Sequence, residues 1–460
     1  MSDLTRPIRV IANTREKGYR AKWAVAYAVA FTMLAGDAVR YSIGWIGWGA
    51  LLVVLFGLAV ALLVSKRREI DSKPSWPLIS LLTLMAVSTL WSAYPGFTAL
   101  ATVAQVGTTV FAFFLAALFS WRALLNLFAN TLRVILASSL LFEVIARFIV
   151  AAPIAPIFKN YSGETPPAAA YYWTQANLFT GERIQGIVGN SNLLAYLAMF
   201  GLVVFTVEFA IHEKSRWLSV GSLLLAALLM LEARSAGIGF AMVAVAAASV
   251  VSIAAEGKER DVRHRYYRIA WAVAGTFAAV VLIFRATVFE FIGKSPDMTG
   301  RSGIWKKVLE LIEDRPVQGW GWISHWIPGV EPYEGLVVIG KVPYYQAHNA
   351  YLDMTLQLGA IGALLFLVML SIAFVKLWRL AVRHTSALYL WPILFFVGLA
   401  VWSLTESRML IENGWMLLTL FAIKVNDPLE TLEPRGNSPK RVRLLSRGLR
   451  QNRPQLHKDH

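Results

Sequence analysis

Residues 346–362 read QAHNAYLDMTLQLGAIG. The stretch opens on two polar side chains, His348 and Asn349, and passes at once into apolar sequence that continues to about residue 375. An apolar run of that length crosses the hydrocarbon core of a bilayer as a helix, since about 20 residues suffice. Similar runs recur outward from it, near 23–39, 43–64, 76–91, 98–119, 132–150, 191–211, 217–233, 236–255, 269–286, 387–404 and 413–425. Strands of a membrane barrel would instead alternate over about ten residues. The expected fold is all-α, a polytopic membrane protein with about twelve transmembrane helices. Composition agrees: 57% of the 460 residues are hydrophobic and the mean hydropathy is +0.54.

The chain has no cysteine, which removes disulfides, thiolate metal sites and cysteine nucleophiles from consideration. Its formal charge of +16 suits either nucleic acid or the positive-inside rule. The second reading is preferred, with no nucleic-acid partner, because Lys and Arg sit mostly in loops between apolar runs. Basic residues cluster before the first run, at Lys66–Lys73, at Lys214 and Arg216, at 258–268, at 376–383 and in the tail. All then fall on one side, the cytoplasm, with both termini there. The first run follows Arg15, Lys17, Arg20 and Lys22 and reads as an uncleaved span. Three segments result: a cytoplasmic 1–22, a transmembrane catalytic domain over 23–425, and a basic, disordered cytoplasmic tail over 426–460 near anionic lipid headgroups.

The opposite side carries two long loops, near 151–190 and 287–348. The second holds Trp305, Trp320, Trp322, Trp326, Tyr333, Tyr344 and Tyr345, too aromatic for disorder, so the working surface is expected to be periplasmic. Within it, Ile304, Trp305, Val308, Leu311 and Ile312 share one face of an amphipathic helix predicted over about 303–314, with Ser302 as a possible N-cap and Pro316 past the end. Arg301 at its start suits a phosphate or pyrophosphate, or else pairs with a surface carboxylate. Arg234, in a short turn between two apolar runs, is a functional candidate or an interfacial anchor. Arg285 reads as an anchor.

Of Asn190 and Asn192, Asn192 is expected to cap the following helix and Asn190 to bind a sugar hydroxyl. His348 is placed to accept a proton from a hydroxyl, or is a structural histidine. Its neighbour Asn349 is a substrate-binding candidate. Gly359 and Gly362, on roughly the face of His348, are expected to admit a neighbouring helix. Asp353 adds an acidic candidate one turn deeper. Glu406, Arg408 and Glu412 cluster in the last outer loop, to pair with the arginines or to position substrate. Trp305 and Trp320 are candidates for sugar faces.

No metal-ligand spacing, P-loop or dinucleotide fingerprint appears, so the expected chemistry needs no metal, nucleotide or other cofactor. Outer arginines, an outer histidine and aromatics suit an anionic lipid-linked sugar. A twelve-span transporter is the rival class, weakened by the absence of a long central cytoplasmic linker and of similarity between the halves. A non-catalytic scaffold for polysaccharide export is a third.

Four segments together resemble the O-antigen ligase and O-antigen polymerase superfamily. HNAYLDMTLQLGAIG has that family's His-Asn, nine residues, Gly, two residues, Gly. GNSNLLAYL at 189–197 is similar to its Gly-Asn-x-Asn segment. ARSAG at 233–237 resembles its Ser-Arg-Ser turn, with Ala233 in place of the first Ser. TGRSGIWKKVLELIEDRPVQGWGW at 299–322 is similar to its Arg, Trp-bearing helix, Pro and Gly-rich turn. The resemblance covers roughly 180–420. It implies a GT-C-like glycosyltransferase in the bacterial inner membrane, moving a glycan from undecaprenyl pyrophosphate to a sugar hydroxyl at the periplasmic face. By that resemblance Arg234 and Arg301 hold the pyrophosphate and His348 serves the acceptor. The acceptor is a lipid-linked repeat unit in a polymerase, the preferred branch, or lipid A core in a ligase. Polysaccharide export and chain-length proteins are expected partners.

Overall fold

The computed structural model describes residues 6–159, 171–255, 258–283, 301–339, 342–384 and 386–427. Arg285, parts of both long outer loops (160–170 and 284–300) and the tail from 428 lie outside them. The helices among the described residues are α1 (Arg6–Leu34), α2 (Gly36–Ser65), α3 (Trp76–Val87), α4 (Pro95–Leu118), α5 (Trp121–Val144), α6 (Ser191–Ala210), α7 (Arg216–Ala233), α8 (Ala236–Ala255), α9 (Arg260–Ile283), α10 (Arg301–Asp314), α11 (Ala350–Arg383), α12 (Leu390–Trp402) and α13 (Glu412–Lys424). One two-residue antiparallel pair, Val338–Ile339 with Val342–Pro343, is a minor addition.

Each expected span coincides with a helix. Six of them, α2, α4, α6, α7, α8 and α11, are long and apolar enough to cross a membrane. Large side chains such as Ile46, Val53, Leu100, Val103, Val250 and Leu364 face outward from them. A helix that is apolar on its outer face as well as its inner one belongs in lipid, and the protein is an integral membrane protein.

Side-chain contacts sort the loops into two ends. At one end Lys22 donates to Leu118 O (3.2 Å), Ser72 meets Asp427 (3.3 Å) and Lys376 meets Asn426. The basic loops at 66–73, 214–216 and 376–383 belong to this end. At the other end Arg40 meets Glu412, Trp91 donates to Gln318 O, and Asn192 meets Glu406. The charge pattern of the sequence thus separates the two ends as expected.

α10 is helical from Arg301, where its described segment starts, and Ser302 lies inside the helix rather than capping it. Its apolar stripe does pack as patterned. Ile304 and Val308 are buried, and Trp305, Leu311 and Ile312 flank them, in a second core with Tyr94, Trp326, Tyr333 and Leu356. Leu352 and Leu356 come from α11, so α10 lies over the bundle.

The decisive local feature is in α11. At Gly359 the backbone leaves helical geometry (φ 63°, ψ −165°). Segment 316–321 docks into that break. Trp320 N donates to Leu356 O (3.1 Å) and Gly321 N to Gln357 O (2.9 Å), while Ala360 N donates to Pro316 O (2.8 Å). Backbone groups released by the break are thereby paired again, as burial away from water demands. A Cβ on Gly359 would stand 2.1 Å from Val317 O, and one on Gly319 would stand 2.5 Å from the Gln357 carbonyl. Gly359 therefore admits a loop, not the neighbouring helix expected from its spacing, and the space beside Gly362 is taken by Leu358 of its own helix. The pattern was misread because periodicity assumes an unbroken helix.

Two side chains extend this dock. Gln357 Oε1 accepts from Ile323 N (2.9 Å) and Ser324 N (2.8 Å). Asp353, 1% exposed, accepts from Trp326 Nε1 (2.9 Å), Ala347 N (3.0 Å) and the Ser407 hydroxyl. One polar rail on α11 thus holds segment 320–326, the turn before His348 and the last outer loop.

Gly359→Ala is expected to cost about 2 kcal/mol or more, through both positive φ and the collision with Val317 O. Gly221→Ala, in α7 with no atom within 4 Å of the added Cβ, is expected to be neutral or stabilising. Thermal unfolding of the two detergent-solubilised variants measures this. Equal midpoints would contradict the docking account.

Candidate functional site

The end opposite the basic loops holds a cluster built around one carboxylate. Glu406, in the loop between α12 and α13, is 4% exposed. It accepts from Asn192 Nδ2 (2.7 Å) and Arg301 Nη2 (2.9 Å) on Oε1, and from His348 Nδ1 (3.0 Å) and Gln346 Nε2 (3.4 Å) on Oε2. Those partners come from α6, α10 and the turn before α11. Four stretches far apart in sequence, counting the loop of Glu406 itself, therefore meet at one side chain.

His348 takes a left-handed backbone conformation (φ 51°), unusual for a residue with a Cβ. Its neighbours hold it there. Asn349 is the N-cap of α11, its side chain accepting from Tyr351 N (3.0 Å) and Leu352 N (3.2 Å), while its own N–H donates to Ser407 Oγ (3.2 Å). Trp305 Nε1 donates to Ala347 O (3.0 Å). Asp353, read from sequence as an acidic candidate, clamps the same turn and has its oxygens engaged. Its part is positional.

A carboxylate can only accept, so His348 Nδ1 donates to Glu406. That favours the tautomer whose Nε2 carries a lone pair, ready to accept a proton. The carboxyl of Glu406 is held below its usual range. Burial pushes it up, but the charge and hydrogen bond of His348, then Arg301 and Arg408, outweigh burial.

The two asparagines exchange the roles expected of them. Asn190 is the N-cap of α6, its side chain accepting from Leu193 N (3.1 Å). Asn192 faces the cluster: its Oδ1 accepts from Arg183 Nη2 (2.5 Å) and Ser235 Oγ (3.0 Å), and its Nδ2 donates to Glu406. Caps precede the helix by definition, and α6 begins at Ser191, two residues earlier than a cap at Asn192 requires.

Arg183 is the residue that sequence reading missed. It lies in the loop GERIQGIVG, residues 181–189, with nothing in its spacing to single it out. The fold places it beside Arg301 and Glu406, with Nε donating to Ala233 O (3.0 Å). Burial lowers its pKa, Glu406 pulls it back up, and Arg301 lowers it further. Glu143 supports the loop, accepting from Gln185 N (3.0 Å) and Gly186 N (2.7 Å). Arg234 is exposed, in a left-handed turn (φ 48°) between α7 and α8, and its neighbour Ser235 binds Asn192. Among the described residues neither Arg183 nor Arg234 has a carboxylate within ion-pair distance, whereas Arg301 pairs with Glu406 at 2.9 Å. Arg183 and Arg301 thus converge on one Asn192–Glu406 pair.

Arg408 joins a different group. It meets Asp37 Oδ2 (3.4 Å) and Glu412 Oε2 (3.5 Å), and Arg40 bridges the same two carboxylates at 2.5 Å each. His325, from the docked loop, feels Arg408, Glu412, His348 and Asp37. It is open to solvent but enclosed enough that desolvation, and after it the charge of Arg408, push its pKa down to about 4. Trp320 Nε1 donates to Leu311 O (2.8 Å) and its ring lies under Arg315. The N–H groups of Trp305 and Trp320 are therefore engaged with backbone, and only ring faces are left to meet a ligand.

A carboxyl held below its usual value adds stability above its unfolded-state pKa and loses it as pH falls through the folded-state value. The stabilisation from the Glu406 pairs is therefore expected to be lost as pH falls below the ordinary carboxylate range. The thermal midpoint of the wild type should fall through that range relative to Glu406→Gln. Parallel profiles for the two proteins would refute the pairing.

Residues 186–367 match the family model described as O-antigen ligase. That stretch holds Asn192, Arg234, Arg301, His348 and Gly359. Arg183 and Glu406 lie outside it. Exopolysaccharide production protein ExoQ of Rhizobium meliloti (strain 1021) is 28% identical over 198 residues, which are 41% of this chain and 45% of that protein. The chain thus spans less than half the length of this curated relative. The docked break at Gly359, the His348 turn and the outer arginines all sit within or beside the matched segment, and over that segment this membrane protein is similar to O-antigen ligases and to an exopolysaccharide production protein.

Proposed function

We propose that this protein is a membrane glycosyltransferase that polymerises exopolysaccharide or O-antigen repeat units from an undecaprenyl-pyrophosphate donor. The observation that carries the reading is a local excess of guanidinium charge: Arg183 and Arg301 converge on the Asn192–Glu406 pair, where Glu406 is the carboxylate within ion-pair distance. A pyrophosphate supplies the missing negative charge, and arginine forks match its oxygens. The family match and the similarity to an exopolysaccharide production protein support the reaction class and the branch.

In the proposed step the acceptor hydroxyl oxygen forms a bond to the anomeric carbon of the donor glycan. The bond from that carbon to the pyrophosphate oxygen breaks, and its electron pair leaves with the pyrophosphate. The arginines stabilise the charge that grows there. The hydroxyl proton passes to His348 Nε2, and Glu406 stabilises the imidazolium through Nδ1. The donor already carries its leaving group, so no nucleotide is consumed, and the guanidinium groups supply the charge without a metal. The acceptor is another lipid-linked repeat unit. About twelve spans, cytoplasmic termini and a periplasmic site in the bacterial inner membrane complete the reading, since the basic loops gather at the end away from the site. Export and chain-length proteins are the partners such a product requires. The description of the family model favours a second reading, a ligase that transfers the glycan to lipid A core.

Purified, reconstituted protein with the host's undecaprenyl-pyrophosphate repeat unit, EDTA and no nucleotide is expected to elongate the glycan. Arg301→Ala and His348→Ala should each lower the rate about 100-fold or more. Gel separation of the products checks this. Transfer only when lipid A core is supplied would establish the ligase branch, and no transfer to either acceptor would overturn the catalytic reading in favour of transport or scaffolding.

A further inference from the structure

Arg183 is aimed by neutral groups. Its Nε donates to Ala233 O (3.0 Å) and its Nη2 to Asn192 Oδ1 (2.5 Å), so the guanidinium is oriented without being neutralised by either acceptor. The loop that carries it is closed on itself. Gln185 Oε1 accepts from Gln175 N (3.2 Å), Asn177 Nδ2 donates to Arg183 O (3.4 Å), and Trp173 Nε1 donates to Ile187 O (2.7 Å). One side of this loop rests on the end of α7, where Phe179 N donates to Glu232 Oε2 (3.2 Å) and Ile184 N to Glu232 O (3.3 Å).

The other side is held by α5, through one buried carboxylate. Glu143, 0% exposed, takes Gln185 N (3.0 Å) and Gly186 N (2.7 Å) on Oε1, and the Thr174 hydroxyl lies 2.8 Å from Oε2. Ser139, one turn earlier, accepts from Ile187 N (3.3 Å), and a Cβ on Gly186 (φ 60°) would stand 2.7 Å from its Oγ. The donors to Glu143 are a hydroxyl and two backbone N–H groups, with no cation among them. Burying a carboxylate on such terms costs more than burying an amide or a hydroxyl. What it provides is one acceptor-only group that holds both arms of the loop, Thr174 before Arg183 and Gln185 with Gly186 after it.

We propose that Glu143 is a positioning residue for the transfer: it pins the loop 174–186 so that Arg183 presents its guanidinium to the pyrophosphate of the donor, while Glu143 itself meets neither substrate. The inference rests on the proposed glycosyl transfer. Without Glu143 the N–H groups of Gln185 and Gly186 lose their acceptor, and a backbone group left unpaired away from water forces the loop to move. Arg183 lies two residues before Gln185 and moves with it. A guanidinium displaced by about 1 Å no longer matches Ala233 O and Asn192 Oδ1 together, and the charge of the leaving group then meets a group that must reorganise. Glu143 reaches Arg183 through the backbone, and its own charge plays no part in the step.

The test is a double-mutant cycle in the full-length reconstituted protein with the host's undecaprenyl-pyrophosphate repeat unit, read as kcat/KM. Arg183→Ala and Glu143→Ala are each expected to lower kcat/KM about tenfold or more. The double variant is expected to stay within about twofold of Arg183→Ala alone, because a loop without its guanidinium has nothing left to aim. Glu143→Gln keeps an acceptor for the two N–H groups and is expected to recover most of the loss. Amide hydrogen exchange in peptides covering 174–187 should quicken in Glu143→Ala and stay slow in Glu143→Gln. Should Glu143→Ala fail to assemble, Thr174→Val, which removes one donor to the same carboxylate, enters the same cycle with the same non-additivity expected. Losses that multiply in the double variant denote a general loosening of the fold and overturn the positioning role. So do a Glu143→Gln variant as impaired as Glu143→Ala, unaltered exchange in Glu143→Ala, and an Arg183→Ala variant with wild-type kcat/KM. In each of these cases elongation by the wild type leaves the proposed reaction standing. A wild type that never elongates the donor removes the proposed function and the role of Glu143 with it.

Discussion

The break in α11 at Gly359 is the constraint on which the outer end of this protein depends. An intact helix would satisfy its own backbone and leave no place for segment 316–321. With the helix opened, Leu356 O, Gln357 O and Ala360 N need partners, and the loop supplies them. Non-helical backbone at membrane depth survives only when buried in protein in this way. The loop is then committed: Gln357 fixes Ile323 and Ser324, and Asp353 fixes Trp326, Ala347 and Ser407. His348, one residue past Ala347, inherits its strained backbone and its aim from these bonds. A histidine at the top of a transmembrane helix would otherwise swing with the loop it ends.

Glu406 performs the corresponding task for charge. It is nearly inaccessible, and a lone carboxylate there would be costly to ionise. Donors from three sides reverse that cost and keep it charged. One of its oxygens meets Arg301 on the proposed donor side, and the other meets His348. The two parts of the proposed reaction, departure of a pyrophosphate and loss of a hydroxyl proton, are therefore linked through a single side chain. Proximity is the physical gain: a base and a charge clamp held in one network need no reorganisation when the substrates arrive.

Much of this was legible in sequence, and the limits have physical causes. Apolar length and the basic loops located the helices and separated the two ends, because bilayer thickness and charge placement act on sequence locally. The stripe Ile304, Trp305, Val308, Leu311 and Ile312 packs as patterned, since it depends only on helical period. Arg301 and His348, singled out in sequence as polar residues beside apolar stretches, meet at Glu406, whereas Arg234 stands exposed at its turn. The failures all involve contacts distant in sequence. Gly359 looks like a helix-packing glycine until segment 316–321 is placed against it. Asn190 and Asn192 differ by two positions, and only the start of α6 decides which one caps. Arg183 sits in a loop without periodicity, and Asp353 looks catalytic until three donors are found around it.

The relation between the matched segment and the rest of the chain carries the synthesis one step further. Residues 186–367 contain the broken helix, its docking glycines and the residues that orient His348. Arg183 and Glu406, which complete the charge balance, lie just outside it, and Asp37, Arg40, Arg408 and Glu412 lie further out still. The matched segment therefore builds a stable mount for a histidine and an arginine. Asp37 comes from α2 and Glu412 from α13, but Arg408, which pairs with both, follows Ser407, and Ser407 is held to the mount by Asp353 and Asn349 N. The outlying ion pairs are thus tied to His348 through the one loop that carries Glu406 and Ser407.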